Sequence, residues 1–268
     1  MNNDVNSKIW QLNRGNTPLV ATAIHNGHNL RREVEEIMAL GADERLREED
    51  PFTWEWTIVS DTQIIGLQSR FEVDLNRPRE TAVYIKPEQA WGLHVWKREP
   101  TMEILNRSLA QYDAFYAEAH QVFSELEKKY GRFVVLDMHS YNHRRDGNNG
   151  NFADPQLNPE VNIGTGTMDR ERWAPLVDRF IADLRAFNYN SRHLDVRENV
   201  KFRGGQFPRW VHQNFPQSGC CIAVEFKKFF MDEWTGEPDS QQLDEIRWAL
   251  KSTVPGVMIE LEKLGVKL

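Results

Sequence analysis

Hydrophobic residues occur along the chain in two patterns, one typical of buried strands and one typical of amphipathic helices. Mainly apolar runs over 17–24, 133–140 and 220–226 predict strands that are covered on both faces, as in an α/β sheet. Other segments place apolar residues three and four positions apart, which predicts helices with one buried face. These helices are expected over 101–130, 170–187 and 241–263, the last of them bent or broken by Pro255 and Gly256.

The segment Ser69–Arg77 alternates between apolar and polar residues, which is the pattern of a strand with one buried face. Its polar side chains are therefore expected to face solvent, and Pro78 is expected to end the strand. Shorter patterns predict a helix over 30–40, strands over 62–68 and 161–165, a polar loop over 141–155 and a turn at Gly204 and Gly205.

Four of the predicted strands end in, or carry, polar side chains, and one of them is the strand over 69–77 with Asp74, Asn76 and Arg77. His25 follows the first strand, and the central strand contains Asp137 and His139 on one face. Open α/β folds place ligands at the carboxyl ends of strands, and a carboxylate beside a histidine orients it for a metal ion. Glu225 lies inside the last apolar strand, where burial should raise its pKa and suit it to general-base chemistry. The alternative for His139 is a hydrogen-bonded side chain without a function.

Composition and charge narrow the class of protein. With 268 residues, 40% of them apolar and nine tryptophans, the chain can bury a core as one domain over 1–268. A net charge of −7 disfavours nucleic acid as a partner, and neither a signal peptide nor an apolar run of the roughly 20 residues of a membrane span is evident. The adjacent Cys220 and Cys221 suit neither an ordinary disulfide nor a zinc-thiolate site, so a reducing cytoplasm is expected. The pairs Arg31-Arg32 and Lys227-Lys228 are interpreted as solvated or as partners of carboxylates.

Five short motifs follow one another in a recognisable order: Thr22–Gly27, Ser69–Pro78, Leu136–Ser140, Phe202–Gly205 and Val224–Phe226. Together they resemble the N-formylglutamate amidohydrolase (formylglutamate deformylase) family, and the resemblance runs through most of the chain. It implies a three-layer α/β/α sandwich with a mixed central sheet. This fold is similar to that of zinc carboxypeptidases and of the succinylglutamate desuccinylase and aspartoacylase enzymes.

The resemblance implies a site for one Zn²⁺ ion, with His25 and His139 as ligands and an open position for water. The third ligand is expected to be Asp50, because the segment it opens, Asp-Pro-Phe-Thr-Trp, best matches the Asp-Trp segment of the family's deformylases. His28 and Glu49 are the alternatives. Histidine and carboxylate ligands also suit cobalt, nickel or iron, so the identity of the metal stays open.

The resemblance also assigns roles around the ion. Glu225 is expected to take a proton from zinc-activated water and to pass it to the leaving nitrogen. Arg70 is expected to bind a second carboxylate or to polarise the scissile carbonyl. Asp137 is expected to orient His139. The expected substrate-binding residues are Asn76 and Arg77 for the α-carboxylate, Arg203 in place of a family lysine, and Ser140.

The predicted function is hydrolysis of the amide of an N-formyl or N-acyl acidic amino acid, which for N-formylglutamate gives formate and glutamate. A first alternative is the same chemistry on another N-acyl amino acid or a peptide end, because the loop after His139 differs from that of typical deformylases. A second alternative is a protein of the same fold that binds a metabolite without turnover. The expected partner is a small molecule in each case, and no oligomeric state is predicted.

Overall fold

A mixed sheet of seven strands runs through the part of the chain that the structure, a computed structural model, describes, which is residues 8–267. Its strands are β1 (Trp10–Asn13), β2 (Leu19–Ala23), β3 (Thr62–Gly66), β4 (Phe133–Tyr141), β5 (Val161–Gly164), β6 (Val196–Glu198) and β7 (Gly219–Lys227). They lie in the order β1-β3-β2-β4-β7-β5-β6. Strands β3, β2, β4 and β7 are parallel to one another, whereas β1 and β5 are antiparallel to their neighbours β3 and β7.

Helices cover both faces of this sheet. Phe133 of β4 stacks on Phe123 on one face, and Phe226 of β7 packs against Trp56 on the other. All nine residues of β4 are buried between these layers. The predicted α/β/α sandwich with a mixed sheet is therefore confirmed. In residues 8–267 the α-helices are α1 (Arg32–Glu35), α2 (Ala42–Glu48), α3 (Met102–Tyr130), α4 (Ala174–Ala186), α5 (Gln206–Asn214) and α6 (Ser240–Lys263).

The register between β4 and β7 decides which polar side chains share a face of the sheet. Phe133 pairs with Gly219, and the pairing continues along both strands, so that His139 lies beside Glu225. Since side chains alternate between faces, Asp137, His139 and Glu225 project on the same side as Phe133, which is the side of α3. The polar groups thus gather near the carboxyl ends of parallel strands, where the sequence predicted a site.

The segment 69–77 is not a strand, so the prediction made for it is wrong. Its backbone folds into successive turns. Glu72 and Asp74 are fully buried instead of facing solvent. Burial is possible because each carboxylate has a close partner: Arg31 Nε lies 2.6 Å from Glu72, and His25 Nε2 lies 2.7 Å from Asp74. Alternation of apolar residues therefore reflects packing beneath the turns and not a pleated strand.

The long helices agree with the predictions, apart from one detail in α6. Helix α3 begins after Thr101, whose side chain accepts a hydrogen bond from a backbone N–H, and it ends at Gly131 with φ +79°. Helix α6 continues through Pro255, so of the two predicted outcomes, a bend or a break, the break is wrong. Packing against α4 supports the helix there, and the approach is close enough that a Cβ on Gly256 would lie 2.0 Å from Asp183.

Several short elements differ from the predictions or were not predicted. The helix expected over 30–40 is the single turn α1. Strands β1 and β6 and helix α5 were not predicted, because each is too short to produce a clear hydrophobic period. Within residues 8–267, no helix combines the length and the hydrophobicity that crossing a membrane requires.

Candidate metal centre and active site

Two histidines and one aspartate lie together at the carboxyl ends of the parallel strands. His25 follows β2, His139 lies in β4, and Asp50 follows α2. All three are buried, and each offers one potential ligand atom within 4.8 Å of the others. The Asp50 Oδ2 atom lies 3.4 Å from His25 Nδ1 and 3.0 Å from His139 Nδ1. The group therefore presents two ring nitrogens and a carboxylate oxygen to one point in space.

Two further carboxylates, Asp74 and Asp137, fix the orientation of the two imidazoles from their outer side. His25 Nε2 lies 2.7 Å from Asp74 Oδ1, and His139 Nε2 lies 2.9 Å from Asp137 Oδ2. The hydroxyl of Thr22 donates to the other oxygen of Asp137 at 2.6 Å. An Nε2–H donated to each outer carboxylate leaves the Nδ1 lone pairs directed at the centre, as metal-binding histidines require. The donor set and its outer partners fit a divalent cation.

Electrostatics at this point favour a positive charge. Burial alone would raise the pKa of Asp50, but the hydrogen bonds and charges of His139 and His25 hold that pKa well below its usual range. Burial alone would lower the pKa of His139, but Asp137 and Glu225 hold it well above its usual range. Three buried acids, Asp50, Asp137 and Glu225, thus act on the imidazole of His139, and the same charges would stabilise a metal ion bound here.

The alternatives for the third ligand lie outside this group. His28 Nδ1 lies 2.5 Å from Glu49 Oε2, so these two residues pair with each other. Asp50 is held in place instead by its own backbone N–H, which donates to the carbonyl of His25 at 3.0 Å, and by Ser140 Oγ, which donates to its Oδ1 atom at 3.1 Å. The structure therefore brings Asp50 to the centre and places the hydroxyl of Ser140 on that carboxylate.

Glu225 is the acid beside the centre, in β7. It is paired with His139 in the sheet register and is 9% exposed. Burial raises the pKa of Glu225 to about 7, with His139 opposing the rise and Asp50 adding to it. A carboxylate with a pKa near neutrality can accept a proton and release it again within one reaction cycle.

Asp74 joins the first histidine to a cluster of aromatic and cationic side chains. Arg70 donates to Asp74 Oδ2 through Nη2 at 2.8 Å and through Nε at 3.2 Å, and the Tyr84 hydroxyl donates to the same oxygen. The guanidinium of Arg70 also lies 4.8 Å from the ring centre of Trp91. Burial alone would raise the pKa of Asp74, but Arg70 and His25 hold it well below its usual range. Two of the three guanidinium nitrogens of Arg70 are thus engaged with one acid.

Asn76 connects the turn after Asp74 to the start of α5. Its Oδ1 atom accepts the backbone N–H of Phe207 at 2.8 Å, and its Nδ2 atom lies 3.5 Å from His139 Nε2. A Cβ on Gly205 would lie 2.4 Å from Asn76 Oδ1, so only glycine fits there. The preceding Gly204 has φ +99°, a conformation that side chains disfavour. The paired glycines therefore allow α5 to begin directly against Asn76.

A cavity of about 320 Å³ opens over the centre. Its wall includes three arginines that have at most weak partners. Arg145 lies 3.4 Å from Glu48, Arg77 lies 3.9 Å from Asp74, and Arg203 forms no salt bridge with any residue in the range 8–267. The cavity therefore suits a small anionic ligand.

A comparison with protein families gives a match over most of the chain, because the model of N-formylglutamate amidohydrolase matches residues 17–230. The chain belongs to the N-formylglutamate amidohydrolase family. The resemblance seen in the motifs is thus confirmed, and the matched range includes the whole centre. None of the curated proteins matches the chain.

Solved structures with a similar fold include a member of this family. N-formylglutamate amidohydrolase from Ralstonia eutropha JMP134 superposes with a TM-score of 0.75 at 17% identity, over 96% of this chain and 98% of that one. The gene product Atu2144 from Agrobacterium tumefaciens superposes with a TM-score of 0.66 at 18% identity, over 96% and 97% of the two chains. At these identities the superpositions support the fold.

For two residues near the centre, the structure differs from what the sequence predicted. Asp74 belongs to a motif of the family, but the alternation over 69–77 placed it on an exposed face. Lys228 was interpreted as solvated or paired with a carboxylate, yet it is 1% exposed and donates to backbone carbonyls. The Asp-Leu-Asn-Arg motif did indicate that Asp74 belongs near the site. Nothing in the sequence around Lys228 indicates which part of the chain it contacts.

Proposed function

We propose that the protein is a metal-dependent hydrolase that cleaves the amide of an N-formyl acidic amino acid such as N-formylglutamate, giving formate and the amino acid. The observation that carries this proposal is the buried group His25, Asp50 and His139, with Glu225 beside it and a cation-rich cavity above it. Membership of the N-formylglutamate amidohydrolase family supports the reaction.

The metal in this proposal is one Zn²⁺ ion held by the Nδ1 atoms of His25 and His139 and by Asp50; other divalent ions with the same ligand preferences are alternatives. When bound, such an ion lowers the pKa of a water molecule and polarises the acyl oxygen. The chain contributes the orientation of its ligands, because Asp74 and Asp137 each hold one imidazole by its outer nitrogen.

Glu225 is the proposed general base. Its carboxylate takes the proton from the attacking water and gives it to the nitrogen of the departing amino acid. A pKa of about 7, set by burial, suits both transfers near neutral pH.

Arginines of the cavity wall are the proposed substrate-binding groups. Arg77 and Asn76 bind the α-carboxylate, and Arg203 binds the second carboxylate of an acidic amino acid. Guanidinium groups suit this task because they can bind a carboxylate through two parallel hydrogen bonds. Arg70 has one nitrogen, Nη1, that is not engaged with Asp74; its contact with the carbonyl of Glu48 is long, at 3.4 Å. We assign this nitrogen to the acyl oxygen.

A reducing compartment fits the cysteines of the chain. Cys220 and Cys221 are both free and buried in β7. Proteins of oxidising compartments commonly form disulfides, whereas cysteines of cytoplasmic proteins stay reduced. We therefore place the proposed enzyme in the cytoplasm, with a small N-acyl amino acid as its partner.

An assay of zinc-loaded protein on a panel of N-acyl amino acids tests the proposal. Release of free amine from N-formylglutamate should exceed release from N-formylglutamine, which has the same shape without the second charge, by about tenfold to a hundredfold in kcat/KM. N-acetyl and N-succinyl glutamate test whether the acyl group is formyl. Preference for a larger acyl group or a peptide end would support the alternative substrate. Binding of zinc without turnover of any compound would contradict the proposed activity.

A further inference from the structure

Lys228 is a buried lysine near the candidate metal centre. It follows the last residue of β7, three positions after Glu225, and is 1% exposed. Its Nζ atom donates to the backbone carbonyl of Arg47 at 2.5 Å and to that of Glu49 at 2.7 Å. The side chain also lines the cavity above the centre. A charged group in this position needs an explanation, because burial of an ammonium is costly unless it is well paired.

The two carbonyls belong to the end of helix α2. The last carbonyls of a helix have no partner within it and carry a partial negative charge, so a cation placed there is stabilising. Helix α2 ends at Glu48, and Glu49 is extended, with φ −78° and ψ 177°. Lys228 thus caps α2 from the position directly after β7, 181 residues further along the chain than Arg47. The residue that follows the cap is Asp50.

Three consecutive acids make this helix end unusual. Glu48, Glu49 and Asp50 are all buried, and their side chains point to different partners. Glu48 accepts from Asn142 at 3.0 Å, Glu49 lies 2.5 Å from His28, and Asp50 faces the two imidazoles. The hydrogen bonds of Lys228 go to the backbone of this turn, and the charges of Asp50 and Glu48 oppose the effect of burial on its pKa. Burial lowers the pKa of Lys228 to about 8, so the amine keeps its charge at neutral pH.

We propose that Lys228 is a positioning residue that fixes Asp50 for metal binding by holding the carbonyls of Arg47 and Glu49. The same strand end then supplies the general base and the group that orients the carboxylate ligand, so that Glu225 and Asp50 keep a fixed relation to each other. This inference rests on the proposed metal centre.

Titration of the metal-free protein with Co²⁺, followed by visible absorption, tests the inference without an activity assay. Lys228→Met should bind Co²⁺ about tenfold to a hundredfold more weakly than wild type, the usual cost of losing a group behind a metal ligand. Its ligand-field bands should shift toward those of Asp50→Asn. The matched control is Lys227→Met, since Lys227 Nζ donates to the carbonyl of Asn158 at 3.0 Å, away from the centre. This control should bind Co²⁺ as wild type does.

The outcomes separate the inference from the proposal on which it rests. Equal Co²⁺ affinity and equal spectra in Lys228→Met and wild type would overturn the positioning role and leave the metal centre intact. Absence of Co²⁺ binding in wild type would overturn both. If circular dichroism shows that Lys228→Met does not fold, Lys228→Gln, which keeps a donor without the charge, is compared by the same criteria.

Discussion

The candidate centre has two halves that are held in place by different means. His139, Asp137 and Glu225 project from β4 and β7, whose backbone hydrogen bonds fix the spacing of the side chains. Asp50 and Asp74 lie outside the strands. Side-chain hydrogen bonds hold Asp74, whereas Asp50 is held by the hydroxyl of Ser140 and by a backbone hydrogen bond to His25. Substitutions in the strand half should therefore alter turnover or metal binding with little loss of stability, because the backbone stays in place. Changes in the turn half should affect metal affinity and stability together.

The largest effect on turnover is expected from the strand half, at Glu225. Glu225→Gln keeps the size of the side chain and removes the proton acceptor, so kcat should fall on the order of 10³-fold while metal content is unchanged. Steady-state kinetics and elemental analysis measure the two quantities. Glu237→Gln, at an exposed side chain, serves as the control and should behave as wild type. A near-normal kcat in Glu225→Gln would reject its role.

Substitution of Asp74 in the turn half and of Asp137 in the strand half compares the two halves directly, because each carboxylate holds the outer nitrogen of one imidazole. Asp74→Asn should weaken zinc binding by about 100-fold and lower the free energy of unfolding by about 3 kcal/mol, because Arg70 and Tyr84 lose a buried partner along with His25. Asp137→Asn should weaken zinc binding by about tenfold and destabilise less, since the β4 ladder remains. Zinc titration and denaturant unfolding of the metal-free proteins measure both. Equal losses of stability would remove the distinction between the halves.

Arg203, in the loop before α5, should affect substrate binding and leave the chemistry unchanged. Arg203→Met should raise KM for N-formylglutamate about tenfold with little change in kcat, because a rim cation contributes to binding in the ground state and the transition state alike. The matched control is Arg209→Met, an exposed arginine of α5. A fall in kcat at unchanged KM would place Arg203 in the chemical step instead.

The smallest effect on activity is expected at His212, which supports the strand half from α5. Its Nε2 atom accepts the backbone N–H of Cys221 at 3.0 Å, and burial lowers its pKa from 6.5 to about 4. Between about pH 4 and pH 6.5, the folded state therefore binds fewer protons at His212 than the unfolded chain does. The stabilisation from His212 is complete above about pH 6.5 and is lost as the pH falls toward 4, by at most about 3 kcal/mol.

Unfolding of wild type and His212→Gln across this pH range measures that contribution. Glutamine can accept the same hydrogen bond but does not titrate, so the difference in unfolding free energy between the two proteins should change with pH. A difference that is constant from pH 7 to pH 4 would contradict the assignment. Activity at neutral pH should be equal in both.

The same division explains how much of the site the sequence predicts. The apolar runs that contain His139 and Glu225 identify the strands, and the period of two residues then places Asp137 on the face of His139. The sheet layers and the three long helices follow from the same patterns. These features depend on neighbours in the sequence, and local periodicity therefore suffices to predict them.

The turn half depends on contacts between distant residues. The burial of Asp74 requires Arg70, Tyr84 and His25 around it, and alternation over 69–77 gives the opposite expectation. Lys228 finds its partners in α2, which no pattern around residue 228 indicates. The family's Asp-Trp segment pointed to Asp50, and the structure brings Asp50 to the imidazoles; its role as ligand stays a prediction.

The central claim is that His25, Asp50 and His139 hold one metal ion. The most direct test is the zinc content of purified protein after equilibrium dialysis, compared among wild type, His139→Ala and His120→Ala, the last an exposed histidine of α3. The account predicts about one zinc ion per chain in wild type and in His120→Ala, and almost none in His139→Ala. Equal zinc content in all three proteins, or none in any of them, would contradict it.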